Sequence, residues 1–463
     1  MSRVWSVARL TFAEGVRMKI VLVFLVVLLL LIIRMPFTLT GDGTLAGRVQ
    51  NFLSYSLAAL GVLLSLTTIF FSCAALAGEI KDRSLHLVVT KPVSRFQILL
   101  GKWLGVNLLN FVIVVLAGGA IYGLAYYLQG LPVQFQRDRT KLRETVWTAR
   151  VAAKPIEPRQ QIEDTARAEV RDRVQRGELM PAQVEAAVRA RIDEGRRKWR
   201  LIGDGEERYF EFEGLPTPDR EDAVIQIRYR VVAVPLTPDE IVEVGWVFCD
   251  PDTRAWLSEP LYTRERSNDT HQFLVRAQPV IKNGRALLLV GNPPAPGPKT
   301  GFVFEGDESL VLLYPVGGFE ANLARSLLMI TFRLGLLSAV ALFFSIFTSF
   351  PVACFCSLAF YLVCLGSPFW LESMGVGAEG MPASIDPYGV IGPIVRTVLG
   401  PLVKLGFPDF VRYDGVRLLI EGLYVPYVLV GEAMLRTLVY GAVLLLLLGW
   451  LIFTQREVAE VQV

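Results

Sequence analysis

Few residues in this chain have the types and spacing that chemistry requires. There are five cysteines and two histidines among 463 residues. Cys354-Phe-Cys356 resembles a metal-binding pair, but His86 and His271 stand apart from it and from any second ligand, and a protein zinc site usually needs about four donors. The cysteines therefore read as apolar packing residues. They make no disulfide framework, since Cys73, Cys354, Cys356 and Cys364 fall in apolar runs and Cys249 stands alone. Gly101-Lys102 lacks both the upstream glycine and the following Ser or Thr of a phosphate loop, so the chain is expected to be no enzyme and to hold no metal or cofactor. Binding chemistry is more legible. From 79 to 102 the chain is short, charged and basic, with Glu79, Lys81, Asp82, Arg83, Lys91, Arg95 and Lys102 around an apolar Leu85-His-Leu-Val-Val, with Pro92 to set a bend and Ser94 beside it. Exposed charges beside an apolar anchor suit docking to a partner.

The elements that hold this segment are apolar runs without charge, 52–77 and 103–128. Each exceeds the roughly 20 residues that cross a bilayer core as a helix. The segment between them must lie at a membrane face, and its basic residues place it on the cytoplasmic side. Ahead of it, 20–33 is uniformly apolar between Lys19 and Arg34 and is read as a retained span rather than a signal peptide. Residues before it, with Val4, Trp5, Ala8, Phe12 and Val16 near helical spacing and Arg3, Arg9, Arg17 and Lys19 among them, predict an amphipathic helix on the inner surface. Later, 334–371 carries no charge. One helix of that length would be roughly 57 Å long, so a break is expected near Ser349-Phe-Pro351. A last span is expected over about 437–453, with Arg436 near its outer end. The fold class is thus an α-helical integral membrane protein of six transmembrane helices with both termini cytoplasmic. Residues 1–129 hold the surface helix and helices 1–3, and 324–463 hold helices 4–6.

Residues 130–323 must then lie outside the cytoplasm. Their basic residues are no obstacle, because long loops cross regardless of charge. From 137 to 320 there are 28 Lys and Arg against 31 Asp and Glu. Within 155–200, alternating signs with recurring Val and Leu predict solvated helices and argue against nucleic acid. Over 207–318 the pattern turns to alternation, as in Val224-Ile-Gln-Ile-Arg-Tyr-Arg-Val, with Gly- and Pro-rich turns between. That predicts an inserted α+β domain with a β-sandwich-like part. No acidic pair, Ser/His arrangement or aromatic platform stands out in it. Residues 375–430 are too apolar for an ordinary loop, and 390–405 reads equally as a re-entrant or an interfacial helix on the outer side. Ser65, Thr67, Thr68, Asn107 and Asn110 are either pathway residues or interhelical hydrogen bonders. Arg333 is the exceptional ionisable group in the spans, expected near an outer end.

The segment's Leu85-His-Leu-Val-Val, Lys91-Pro-Val-Ser-Arg95 and Leu99-Leu-Gly-Lys102 resemble the first cytoplasmic loop of ABC-2 type (type-2 exporter) ABC-transporter permeases. So do the stretch from Leu334-Gly-Leu-Leu-Ser to Phe344-Ser-Ile-Phe-Thr-Ser-Phe-Pro-Val-Ala353, and the end, with Phe407-Pro-Asp-Phe, Tyr413-Asp414 and Phe453-Thr-Gln-Arg-Glu457. The likeness leaves out 134–318, where many such permeases have a short loop. It implies a permease subunit of an ATP-driven exporter in a bacterial plasma (inner) membrane, with ATP handled by a separate ABC ATPase subunit. It also implies a second permease, as homodimer or paralogue, contact with membrane lipid, and an extracytoplasmic ligand or protein for the insert. The segment would be the coupling helix, with Glu79, Lys81, Asp82, Arg83, Pro92, Ser94, Arg95 and Lys102 serving the ATPase contact. The alternative is a mechanotransmitting or scaffold protein that uses the permease fold to move or anchor its outer domain without transport.

Overall fold

A computed structural model of the chain describes residues 2–38, 44–81, 94–130, 142–143, 145–180, 183–217, 223–235, 241–294, 301–306, 308–369 and 406–455. Two compact units emerge, one from 1–149 with 317–463 and the other from 150–316.

The first unit is helical. Helix α1 spans Ser2–Arg17 and α2 spans Lys19–Thr38. Helix α3 runs Leu45–Gly78, its last turn, Ala74–Gly78, being π-helical, and a short turn Glu79–Lys81 continues it. Helix α4 is Arg95–Gln129. The apolar stretches expected over 52–77 and 103–128 thus lie inside longer helices, because polar residues such as Arg48, Gln50, Arg95 and Gln97 extend them without breaking them. Beyond the second unit come α7 (Phe319–Phe347), α8 (Phe350–Leu365), the short α9 (Gly415–Ile420) and α10 (Tyr427–Gln455). The charge-free run is interrupted between Phe347 and Phe350, where Ser349 is extended and Pro351 fits the first turn of α8.

Among the described residues five helices, α2, α3, α4, α7 and α10, are long and apolar enough to cross a membrane. Helix α8 has 16 residues, about 24 Å against a core of about 30 Å, so over its described length it falls short of the sixth expected span. Helix α10 also corrects an expectation. It begins ten residues before 437 and carries Glu432 and Arg436 inside it, with a π-helical stretch Leu435–Ala442. Glu432 is tolerated because it accepts from the Tyr413 hydroxyl at 2.8 Å and pairs with Arg412 at 3.2 Å. Helix α7 is at the centre. Leu334, Leu336, Leu337 and Leu342 along it are all at most 1% exposed and join three cores, with α3 and α4, with α8, and with α10. The described part of the interrupted region, 406–427, is tied to α7 as well. Asn322 donates to Leu423 O and accepts from Val425 N, and Ser326 donates to Gly415 O. The stretch 390–405 lies outside the described residues.

The second unit carries helices α5 (Arg159–Gln175) and α6 (Val184–Arg200) and most of eleven strands. The strands are β1 (Thr148–Ala153), β2 (Leu201–Ile202), β3 (Glu207–Phe212), β4 (Val224–Arg230), β5 (Val232–Val234), β6 (Ile241–Cys249), β7 (Leu261–Arg266), β8 (Thr270–Arg276), β9 (Ala286–Gly291), β10 (Gly301–Val303) and β11 (Leu310–Gly318). Two four-stranded sheets form, ordered β1-β11-β4-β8 and β3-β9-β6-β7, with a three-stranded sheet β2-β10-β5. Alternation explains the layering, since successive side chains of a strand face opposite ways. Ile225, Ile227 and Tyr229 of one sheet and Val242, Val244, Trp246 and Phe248 of the other enter a single core. At its centre the Trp246 ring lies 4.5 Å from Tyr229 and 5.3 Å from Phe273. Both polar tips are satisfied, Trp246 Nε1 and the Tyr229 hydroxyl each donating to Thr263 Oγ1.

Candidate functional site

The candidate docking segment leaves α3 at Glu79 and re-enters a helix at Arg95. Ser94 sets that entry by taking an extended conformation. Its hydroxyl accepts from Gln97 N, while the Gln97 side chain accepts from Ser94 N at 3.1 Å, a reciprocal capping box. Gly101 and Lys102 are therefore about two turns inside α4. Asp82, Arg83 and Pro92 lie outside the described residues, and Lys81 closes the last turn after α3.

Lys102 is 3% exposed. Its ammonium stands 2.8 Å from Glu79 Oε1 and donates to Ala75 O at 2.7 Å. Ala75 belongs to the π-helical turn that ends α3, where carbonyls lack in-helix partners and a cation is favoured by the helix dipole. The first and last predicted contact residues of the segment are thus bonded to each other, and the pair closes its base. Lys102 offers no surface to a partner in this arrangement. Glu14 of α1 joins the same group. Burial pushes its carboxyl above the ordinary range, the Lys102 charge opposes that rise and the Glu79 charge adds to it.

Arg95 is likewise engaged within the chain. It donates to Phe453 O and, at 3.3 Å, to Thr454 O, and its guanidinium lies 5.4 Å from the Phe453 ring centroid. It caps the C-terminal end of α10, where orphan carbonyls collect. Beneath it Leu76, Leu99, Ile346, Leu446 and Phe453 share one core. The ends of α3, α4, α7 and α10 therefore meet here, joined by packing and by two cations.

Helix α1 completes the group through close backbone contact. A Cβ on Gly101 would stand 2.9 Å from Val4 O, and one on Gly105 would stand 2.5 Å from Ala8 O and 2.8 Å from Thr11 Cβ. Glycines four apart let two helices approach this closely. Helix α1 buries its small residues Ala8, Thr11 and Gly15 on that face, while Trp5 and Val16, expected in its apolar stripe, remain exposed at 59% and 54%. Sequence reading missed Glu14 and the role of Gly101-Lys-Trp-Leu-Gly105, although the glycine spacing was there to be read.

The polar residues of the spans bond within the bundle. Thr68 donates to Asn110 Oδ1 at 3.1 Å, Asn107 donates to Ser338 Oγ at 3.0 Å, and Ser65 and Thr67 bond back to their own helix. Among the described residues no group of three or more His, Cys, Asp or Glu is placed to hold a metal ion.

The family model described as "ABC-2 family transporter protein" matches residues 5–134, which takes in α1 to α4 and the docking segment. The chain is also 30% identical over 138 residues to the probable ABC transporter permease protein NosY of Stutzerimonas stutzeri. That match takes in 28% of this chain and 49% of the relative, so the chain spans about half the length of the curated protein it resembles. No solved structure matches. The resemblance to ABC-2 type permeases stands over this part, and with five apolar helices of spanning length the chain is a multi-pass membrane protein, which in a bacterium resides in the inner membrane.

Proposed function

We propose that this chain is the membrane-spanning permease subunit of an ATP-driven exporter, worked by a separate ABC ATPase through the segment from Glu79 to Lys102. Both termini are cytoplasmic in this reading, α8 is part of the fifth of six spans, and the second unit lies outside. A second permease, either another copy or a paralogue, completes the assembly. The observation that carries the reading is the Glu79–Lys102 pair. Force applied by a partner to 82–93 has to enter at the base of the segment, and there α3 and α4 are joined by a nearly buried ion pair to each other and through the glycine contact to α1. Motion of the segment would therefore tilt three helices together instead of fraying two ends.

The test is capture. The full chain is purified in detergent from its host, and the proteins that accompany it are identified by mass spectrometry, beside an Asp82→Lys, Arg83→Glu double variant. An ABC ATPase that accompanies the wild type and is lost in the variant is the expected result. If none accompanies the wild type, under conditions that keep other membrane complexes intact, the reading fails.

A further inference from the structure

Arg333 was expected near an outer helix end. It is fourteen residues from Phe319 and fourteen from Phe347 of α7, about 21 Å along the axis from either end. A helix of about 43 Å across a core of about 30 Å can slide by about 13 Å, so Arg333 stays at least about 8 Å inside. The side chain does not reach toward a helix end. Its Nη2 lies against Gly61, where an added Cβ would stand 2.5 Å away, and Gly61 is itself midway along α3. The Arg333 side chain makes no hydrogen bond, ion pair or ring contact among the described residues. Its Nε is buried without a partner, and the residue as a whole is only partly covered, so its terminal nitrogens open on the surface of the helical unit.

A guanidinium at this depth cannot rest against lipid tails without a cost of about 2.5–3.5 kcal/mol or more on insertion scales. No described residue of the chain supplies its counter-group. A second copy is poorly equipped to supply one. The described carboxylates of the spanning helices and their ends are Glu79, held by Lys102, Glu320, which accepts from Tyr122, and Glu432, held by Arg412 and Tyr413. None of the three is at mid-length. We propose that Arg333, seated over Gly61, is an anion-binding site on the passage, taken by a carboxylate or phosphate group of the transported molecule. The proposal rests on the transporter reading, and it assigns the cargo a negative charge.

Thiol chemistry on the full chain in phosphatidylcholine nanodiscs tests it. In Arg333→Cys, the new thiol should react with membrane-impermeant sulfonatoethyl methanethiosulfonate and should not cross-link two copies under mild oxidation. Four of the five native cysteines are buried and give a low background. A second variant keeps the arginine in place. Ala58, exposed and three residues from Gly61, is replaced by cysteine, and its reaction rates with the anionic reagent and with a trimethylammonium analogue are compared. The guanidinium over Gly61, one helical turn from Ala58, should favour the anionic reagent about tenfold, and Arg333→Gln should remove the preference. Dodecyl phosphate should slow the anionic reaction at Ala58→Cys. If inorganic phosphate slows it equally the site takes small anions, and if it does not the site selects an amphiphile. No reaction at Arg333→Cys, cross-linking without labelling, an unchanged charge preference or no competition by either phosphate would each overturn the site. The ATPase capture described above does not involve Arg333, so a failure there would leave the anion site standing without its energy source.

Discussion

Lys102→Met, Glu79→Gln and the double variant form a cycle that measures the lock at the base of the docking segment. Breaking a fully buried ion pair from one side costs roughly 3–5 kcal/mol, chiefly by leaving the other charge unpaired. Lys102 is 3% exposed but Glu79 is 23% exposed, so water relieves part of that penalty for the carboxylate. Lys102→Met should therefore cost about 2–3 kcal/mol, which includes the lost bond to Ala75 O. Glu79→Gln should cost less, about 1–2 kcal/mol, because the ammonium keeps that carbonyl and the nearby Glu14. The double variant leaves no stranded charge and should fall short of the sum by about 1–2 kcal/mol. Unfolding in mixed micelles, with sodium dodecyl sulfate as denaturant and helix content followed by far-ultraviolet ellipticity, reads each value from the shift of the midpoint. Additivity within about 0.5 kcal/mol would mean that the two groups are not an energetic unit. The ends of α3 and α4 would then lack a joint that couples them.

Other parts of the molecule give sharper or simpler outcomes. Gly105→Leu forces a side chain into Ala8 O and Thr11, and overpacking of this kind costs about 1–3 kcal/mol; helix α1 should detach, and tryptic cleavage after Arg9 and Arg17 should speed up while the rest of the chain stays resistant. Trp246→Ala removes the ring between the two large sheets, 1% exposed, at a cost of about 3–5 kcal/mol, so the second unit should become protease-sensitive while the helical unit stays intact. The Lys282 ammonium, with the Thr253 and Asp252 amides, holds the Asp250 carboxyl well below its ordinary value of 3.8. A depressed carboxyl contributes stability above its unfolded value and loses it as the pH falls toward its folded one. The advantage of wild type over Asp250→Asn should therefore be complete at neutral pH and drain away only below about pH 4, read by thermal unfolding across a pH series.

The helices could be read from the sequence because a bilayer-length apolar run has little choice of structure, as every backbone group must bond within its own segment. Ser349-Phe-Pro351 marked a break for an equally local reason. Alternation in Val224–Arg230 identified a strand facing a core on one side. Charges near helix ends were harder to read. Arg436 looked like the flank of a span that began after it, and the partners that hold Glu432 in the same helix, Arg412 and Tyr413, come from a distant turn. Lys102 looked like one of several exposed basics. Its burial depends on Ala75 and Glu79, more than twenty residues away, and on a glycine contact that brings α1 alongside.

The sequence by itself determined where the chain can cross a membrane, where it cannot, and which short segment between spans is charged. Hydropathy, period and punctuation are properties of neighbouring residues. Only the tertiary structure decided which of those charges face each other. It locked Lys102 to Glu79, gave Arg95 to the end of α10, and left Arg333 against Gly61 at mid-helix without a partner among the described residues. The state of a charge depends on what lies within a few ångströms of it, and helix packing, not chain order, sets that distance.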